Sequence, residues 1–288
     1  MSKPDKLILI VTRKCNLRCR YCPVSKSGSS ISPAVFERAI DLFSAAGGKE
    51  IKFFGGEPLL EFPSIRSAAD YALKKDGGIK FEIASNGYLL NKEIEDWLLD
   101  RKIGLTVSFD LEGKNFHGRI KISPDLKNLL RKMVPGKLAA ALVVTPGKTP
   151  LLFENFHVLA RAGFKSINLL PTFYTLSWQE EELAALKKEL AAVSALARSL
   201  GIDLPGFGKE KAERDPLYNL AWAVDCNGDL YGSDFFLLDG FLAEKAAKLG
   251  NVLSLESLPA WKRPTCRFKK EVEASNQRLK EVLDGIAS

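Results

Sequence analysis

Leu7-Ile8-Leu9-Ile10-Val11-Thr12-Arg13-Lys14-Cys15-Asn16-Leu17-Arg18-Cys19-Arg20-Tyr21-Cys22 is a short apolar, β-branched run that opens into a loop carrying three thiols. The run has the length and composition of a buried strand. The thiols follow in the spacing Cys-x3-Cys-x2-Cys, so one tight loop offers three thiolates, one short of a closed tetrahedral site. A structural zinc knuckle takes four ligands, and neither a histidine nor a fourth cysteine lies nearby. A 4Fe–4S cluster on three protein thiolates keeps one iron open for a substrate or cofactor.

Outward from this loop, strand-like segments recur near residues 7–12, 50–54, 79–84, 104–109, 138–144 and 165–170, each followed by a helical pattern. Ser32-Pro33 is an N-cap with proline at the first helical position, and that helix stops at Gly47-Gly48. Asn91 and Ser123-Pro124 mark two more helix starts. Ser177-x-x-Glu180 reads as a capping box for a long amphipathic helix. Its stripe of Leu183, Leu186, Leu190, Val193, Leu196 and Leu200 reads as core packing, and it ends at Gly201. Six β-then-α units in series predict an α/β fold, an open partial (β/α)6 parallel barrel over residues 1–200. In such barrels the reactive groups gather at the C-terminal ends of the strands, which is where the cysteine loop falls.

The texture changes near residue 201. Pro205-Gly206-Phe207-Gly208 reads as a link, and a charged stretch runs to Asp215-Pro216. Two strand-like runs then flank Asn227-Gly228, a hairpin signal, and a helix is expected from about Lys269. Residues 201–288 are therefore expected to form a small α+β extension.

A chain of 288 residues, 46% hydrophobic and 27% charged, is ordinary for a globular protein. No apolar run approaches the roughly 18 residues of a membrane span, and the N-terminus does not read as a signal peptide. Five cysteines, an odd number, point to a reducing cytoplasm. The net charge of +7 is spread along the chain. Arg13, Lys14, Arg18 and Arg20, or Lys262 and Arg263, could favour an anionic ligand without forming a nucleic-acid track.

The loop from Thr12 to Cys22 resembles the signature of the radical S-adenosylmethionine (SAM) superfamily. That resemblance implies a cluster on Cys15, Cys19 and Cys22, with Tyr21 packed beside bound SAM. Phe54-Gly55-Gly56-Glu57-Pro58 closes the second strand; its paired glycines allow close backbone approach to a ligand, and a carboxylate there can accept hydrogen bonds from an ammonium group. It resembles the family's Gly-Gly-Glu-Pro motif, which holds the amino group of SAM. Ser85-Asn86-Gly87 ends the third strand, where the family often places a segment near SAM; the alternative is an ordinary turn. Ser108-Phe109-Asp110 ends the fourth and resembles a Ser-x-Asp-Gly…His stretch of peptide-modifying members, except that Leu111 replaces the glycine. Ser108 and Asp110 are thereby expected to line the SAM or substrate site. His117, with Arg119 nearby, reads rather as a structural or solvated histidine, and His157 carries no functional signal.

Asp225-Cys226-Asn227-Gly228-Asp229-Leu230-Tyr231 and the segments that follow it to Trp261 resemble the SPASM extension of many family members. That extension normally binds auxiliary clusters, but Ser233 stands where a cysteine is expected, and only Cys226 and Cys266 remain. Two thiolates cannot hold an ordinary auxiliary cluster, so a single cluster is expected. Cys226 and Cys266 read either as small buried hydrophobes or as donors of a hydrogen atom to a substrate radical.

The resemblance implies reductive cleavage of SAM, hydrogen-atom abstraction from a substrate, and a one-electron donor such as flavodoxin or ferredoxin. The Phe-Gly-Gly-Glu-Pro-Leu-Leu text and the SPASM-like tail lean towards a ribosomally made peptide. With the first strand beginning near residue 7, a separate peptide-recognition protein is a further expected partner. The alternatives are a small-molecule substrate (a sugar, nucleoside or cofactor precursor) and a non-catalytic protein that keeps the cluster or the bare fold.

Overall fold

Local sequence signals set most of the element boundaries. The computed structural model describes residues 4–22, 24–111, 120–134, 136–172, 177–205, 221–238, 240, 242, 244–261 and 269–287. In chain order the elements are β1 (Lys6–Thr12), α1 (Pro33–Ala45), β2 (Glu50–Gly55), α2 (Phe62–Lys75), β3 (Lys80–Ser85), α3 (Lys92–Asp100), β4 (Gly104–Asp110), α4 (Pro124–Lys132), β5 (Leu138–Val144), α5 (Leu152–Ala162), β6 (Ile167–Pro171), α6 (Glu180–Leu200), β7 (Trp222–Val224), β8 (Asp229–Tyr231), β9 (Gly250–Asn251) and α7 (Lys270–Ala287). The six strands expected from the sequence are β1 to β6, with ends displaced by at most two residues. The α/β class with parallel strands is thus the observed one.

The expected caps are in place. Ser32 Oγ accepts from Val35 N at 3.4 Å, Asn91 Oδ1 from Ile94 N at 3.0 Å, and Ser123 Oγ from Leu126 N at 3.2 Å. Each satisfies one of the orphan donors of a helix start. The start of α6 differs from expectation. Its cap is Gln179, whose backbone N–H donates to Glu182 Oε2 at 2.9 Å, so the box lies two residues beyond Ser177 and Glu180. Trp178 accounts for the shift. Its fully buried indole donates to Thr172 O at 2.9 Å, and its backbone N–H donates to Ser275 Oγ at 3.1 Å, holding the chain extended through that point. Leu183, Leu186, Leu190 and Val193 are buried as expected, whereas Leu200 in the last turn is 45% exposed.

The chain divides into two compact units. The first comprises Met1–Arg18, Pro23–Ser85 and Tyr218–Phe268. In it β1 pairs in parallel with β2 on one side and β7 on the other, and β2 pairs in parallel with β3. β7 and β8 form an antiparallel hairpin, to which β9 adds. Leu7, Ile8, Leu9, Ile10 and Val11 are all essentially inaccessible, the mark of a parallel strand covered on both faces. The hairpin turn has Gly228 at φ +86°, while Asn227 keeps a negative φ and accepts Asp229 N on its side chain at 3.0 Å. It is therefore not the type I′ turn that Asn-Gly most often makes.

The second unit comprises Cys19–Cys22, Asn86–Leu217 and Lys269–Ser288. Here β4, β5 and β6 run parallel, β5 is buried along almost its whole length, and α6 packs against α5 and α7. No helix among the described residues is long and apolar enough to cross a membrane.

Candidate active site

In the first unit the site grows from the exit of β1. Thr12 Oγ1 donates to Ser29 O at 2.9 Å, accepts from Lys14 N at 3.1 Å, and lies 3.0 Å from Ser30 Oγ. Arg13 N donates to Ser29 O and Ile31 N to Val11 O, so the returning segment is stitched to the strand end. From β2, Gly56 N donates to Thr12 O and Glu57 N to Lys14 O, both at 2.8 Å. These contacts explain the paired glycines. A Cβ on Gly55, whose φ is +135°, would stand 2.2 Å from Thr12 O, and one on Gly56 would stand 2.0 Å from Lys14 O. The close approach expected towards a ligand is here an approach to the residues that lead into the cysteine loop.

Glu57 is 1% exposed. Its Oε1 accepts from Leu59 N at 3.0 Å and from Ser85 Oγ at 2.8 Å, capping the 3₁₀ turn Pro58–Glu61 and tying the end of β2 to the end of β3. The basic residues before Cys15 meet the chain's own carboxylates. Arg13 Nε and Nη2 reach Asp225 Oδ1 and Oδ2 at 3.0 and 2.7 Å, and Lys14 Nζ reaches Glu61 Oε1 at 2.9 Å. Ser30 Oγ donates to the same Glu61 oxygen at 2.7 Å. Lys14 and Ser30 hold the Glu61 carboxyl below its ordinary range. Arg18 and Arg20 are exposed. Glu61 and Asp225 carried no signal as loop anchors in the sequence, because their partners lie 47 and 212 residues away.

Cys15, Cys19 and Cys22 form no disulfide and are half-buried. Cys15 belongs to the first unit, Cys19 and Cys22 to the second. Leu17 N–H points at Cys15 Sγ from 3.4 Å, and Cys22 N donates to Cys19 O at 3.2 Å. No three His, Cys, Asp or Glu side chains among the described residues converge on a site for a single metal ion. The donor set fits a cluster. Three thiols share one loop, and a backbone N–H is already aimed at one sulfur, the support that a metal-bound thiolate takes from its surroundings.

In the second unit Asp110, at the end of β4, receives two donors on one oxygen. Tyr21 Oη donates to its Oδ2 at 3.0 Å and Cys19 Sγ lies 3.6 Å from the same atom. Burial pushes the Tyr21 phenol up, and the Asp110 carboxylate adds to it. Burial likewise pushes the Cys19 thiol up, and the Asp110 carboxylate adds to it. Ser108 is half-buried, opposite Ala141 in the β4–β5 register. Asn86 Oδ1 accepts from Tyr88 N at 3.0 Å, and Gly87 at φ +75° lies where a Cβ would meet Val107 Cγ1 at 2.9 Å, so this segment does form a tight turn.

The thiol of Cys226, back in the first unit, is buried and turned onto Ile10 O at 3.2 Å. Burial, with help from the Asp225 carboxylate, pushes it up to about 12. His157 is exposed on α5. Cys266, His117, Arg119, Lys262 and Arg263 lie outside the described residues.

Residues 9–186 match the model of the Radical SAM superfamily. An uncharacterized protein of Methanocaldococcus jannaschii is 30% identical over 206 residues, 68% of this chain and 71% of that one. The radical SAM cyclopropyl synthase TigE of Paramaledivibacter caminithermalis is 27% identical over 146 residues, 43% of this chain and 31% of TigE. A GTP 3′,8-cyclase of Haemophilus influenzae is 32% identical over 121 residues, 38% of this chain and 35% of the cyclase. The chain therefore matches about a third of the length of each of these two enzymes. Among solved structures, anSMEcpe with bound AdoMet superposes with a TM-score of 0.68 at 15% identity, covering 99% of this chain and 84% of the other. Streptococcus suis SuiB bound to precursor peptide SuiA gives 0.66 at 18% identity, covering 97% and 71%. At such identities the likeness is one of fold. With a family match running from β1 into α6 and covering well over half its length, the chain belongs to the radical SAM superfamily.

Proposed function

We propose that this chain is a radical SAM enzyme that holds one 4Fe–4S cluster on Cys15, Cys19 and Cys22 and acts on a ribosomally made peptide. When bound, cluster and SAM together supply a 5′-deoxyadenosyl radical by one-electron cleavage of the sulfonium bond, with a flavodoxin or ferredoxin as electron source. The observation that carries the reading is the loop itself: three thiols outside any disulfide directly after β1, one with a backbone N–H on its sulfur.

The chain's own residues bind and orient. Glu57, held by Leu59 N and Ser85 Oγ, presents a fixed buried carboxylate to the ammonium group of SAM. Gly55 and Gly56 keep that carboxylate in register with the cysteine loop through Thr12 and Lys14. Tyr21 stands beside the cofactor, and Asp110 orients it through the phenol. Asn86 and Ser108, at the ends of β3 and β4, supply further polar groups for SAM or substrate. Residues 1–200 form the catalytic part, and 201–288 a SPASM-like extension without an auxiliary cluster.

The peptide reading rests on the Phe-Gly-Gly-Glu-Pro-Leu-Leu text and on the hairpin of the extension. SuiB, of like fold, has been solved with its precursor peptide. A separate peptide-recognition protein would complete substrate capture. A second reading, action on a small metabolite, is favoured by the similarity to GTP 3′,8-cyclase.

The test is 5′-deoxyadenosine formation by anaerobically reconstituted protein with SAM and a strong reductant, against a control with all three cysteines replaced by alanine. Formation that depends on the triad is expected. A fully loaded protein that never forms 5′-deoxyadenosine, alone or with peptide or metabolite substrates, would instead indicate a non-catalytic cluster protein. Stimulation by a short peptide, rather than by a free nucleotide or sugar, separates the two substrate readings.

A further inference from the structure

The segment that follows β7 meets the arm leading to Cys15 at Arg13. Strand β7 lies beside β1 in parallel register, Leu9 opposite Val224, so that Asp225 follows level with Ile10, near the end of β1. Asp225 meets Arg13, two residues before Cys15, through two parallel N–H···O bonds of 3.0 and 2.7 Å. The side chains are only 18% and 12% exposed. Three further contacts pin the pair. Asp225 Oδ1 also accepts from Cys226 N at 2.8 Å, the guanidinium lies 5.7 Å from the centre of the Phe236 ring, and Phe236 stacks on Tyr231 with ring centres 4.2 Å apart. The Cys226 thiol completes the dock by donating to Ile10 O, a carbonyl of β1 itself.

We infer that the Arg13–Asp225 fork is a clamp by which the β7–β8 hairpin sets the position of Cys15. Arg13 and Asp225 are positioning residues for the cluster, and Cys226 serves the dock. A planar guanidinium fork against a carboxylate fixes direction as well as distance, which a lysine at 13 would not do. Such a device gives the β7–β8 hairpin a role that needs no auxiliary cluster. It also gives Cys226 a use, as a buried thiol docked on a β1 carbonyl. The inference rests on the triad holding a cluster, as proposed above.

Three variants separate positioning from mere folding: Arg13→Gln, Asp225→Asn and the double variant. Each single change leaves a half-buried charge without its partner and lowers stability, and the double change relieves that burden. Neither restores the fork. The readouts are the thermal unfolding midpoint, the rate at which cluster absorbance is lost on exposure to air, and the electron paramagnetic resonance spectrum of the reduced cluster.

The expected result is that all three variants lose the cluster about tenfold faster than the parent, the low end of the effect of loosening a ligand's surroundings, with an altered resonance spectrum, because the chain two residues before Cys15 is no longer fixed. The double variant is expected to regain much of the unfolding midpoint without regaining cluster retention. Cluster loss that recovers in step with the midpoint, or that matches the parent in every variant, overturns the clamp. A parent protein that takes up no triad-dependent cluster overturns the underlying reading instead, and is recognised before any variant is made.

Discussion

The two arms of the cysteine loop are held in different ways. The arm leading to Cys15 is tied by its backbone and by charge. Thr12 O and Lys14 O accept from the Gly-Gly-Glu segment, Arg13 forks onto Asp225, and Lys14 pairs with Glu61. The arm carrying Cys19 and Tyr21 converges on Asp110, whose one oxygen takes both a phenol and a thiol. Backbone bonds between buried strand ends are lost only when the sheet opens, whereas a side-chain bond can break alone. The first thiol therefore belongs to the sheet, and the second answers to the Asp110 carboxylate.

The largest expected effect breaks the firmer arm. Gly56→Ala sets a Cβ against Lys14 O, and neither backbone can yield without parting Glu57 N from the same carbonyl. A loss of about 3 kcal/mol in denaturant unfolding is expected, at the upper end for an overpacked site. Iron uptake should fall with it.

Glu57→Gln leaves the shape of the same arm intact and removes only its charge. The amide can still accept from Leu59 N and Ser85 Oγ, so unfolding should change little. SAM affinity should weaken by about 2 kcal/mol, roughly thirtyfold, the scale of a hydrogen bond to a charged group. Equilibrium binding to the reconstituted protein measures it.

Tyr21→Phe probes the second arm. Loss of its bond to Asp110 is expected to cost about 1 kcal/mol of stability. If the arms differ as described, it should also broaden the resonance of the reduced cluster more than Glu61→Gln does. Equal broadening from both would remove the contrast.

The smallest effect is at the exposed edge of the first arm. The Lys14–Glu61 pair is partly solvated, so Glu61→Gln should cost at most about 1 kcal/mol, shrinking with added salt. Because the folded state holds the Glu61 carboxyl down, its contribution is fully present above the ordinary glutamate value of about 4.3. It is lost as pH falls through the lower folded value. Acid unfolding of the parent and of Glu61→Gln should therefore converge at low pH.

The sequence alone determined what depends on neighbours along the chain. Strand and helix alternation, the caps at Ser32, Asn91 and Ser123, the left-handed end at Gly201 and the hairpin at Asn227-Gly228 all follow from side chains acting within a few residues. The thiol spacing belongs to the same class, because one loop supplies all three sulfurs. The start of α6 departs from its local signals. Ser177 and Glu180 have the letters of a capping box, but burying Trp178 against Thr172 O and Ser275 moved the box to Gln179 and Glu182.

Tertiary structure alone decided which residue each of these groups meets. Gly55 and Gly56 look the same in sequence whether they face a ligand or a backbone, and only the folded chain shows Thr12 and Lys14 against them. Arg13 and Lys14 read as a basic cluster open to an anion until β7 and the 3₁₀ turn Pro58–Glu61 bring Asp225 and Glu61 to them. The physical reason is range. Caps and turns close over three or four residues of chain, while an ion pair across 212 residues exists only once parallel strands have placed its two halves side by side.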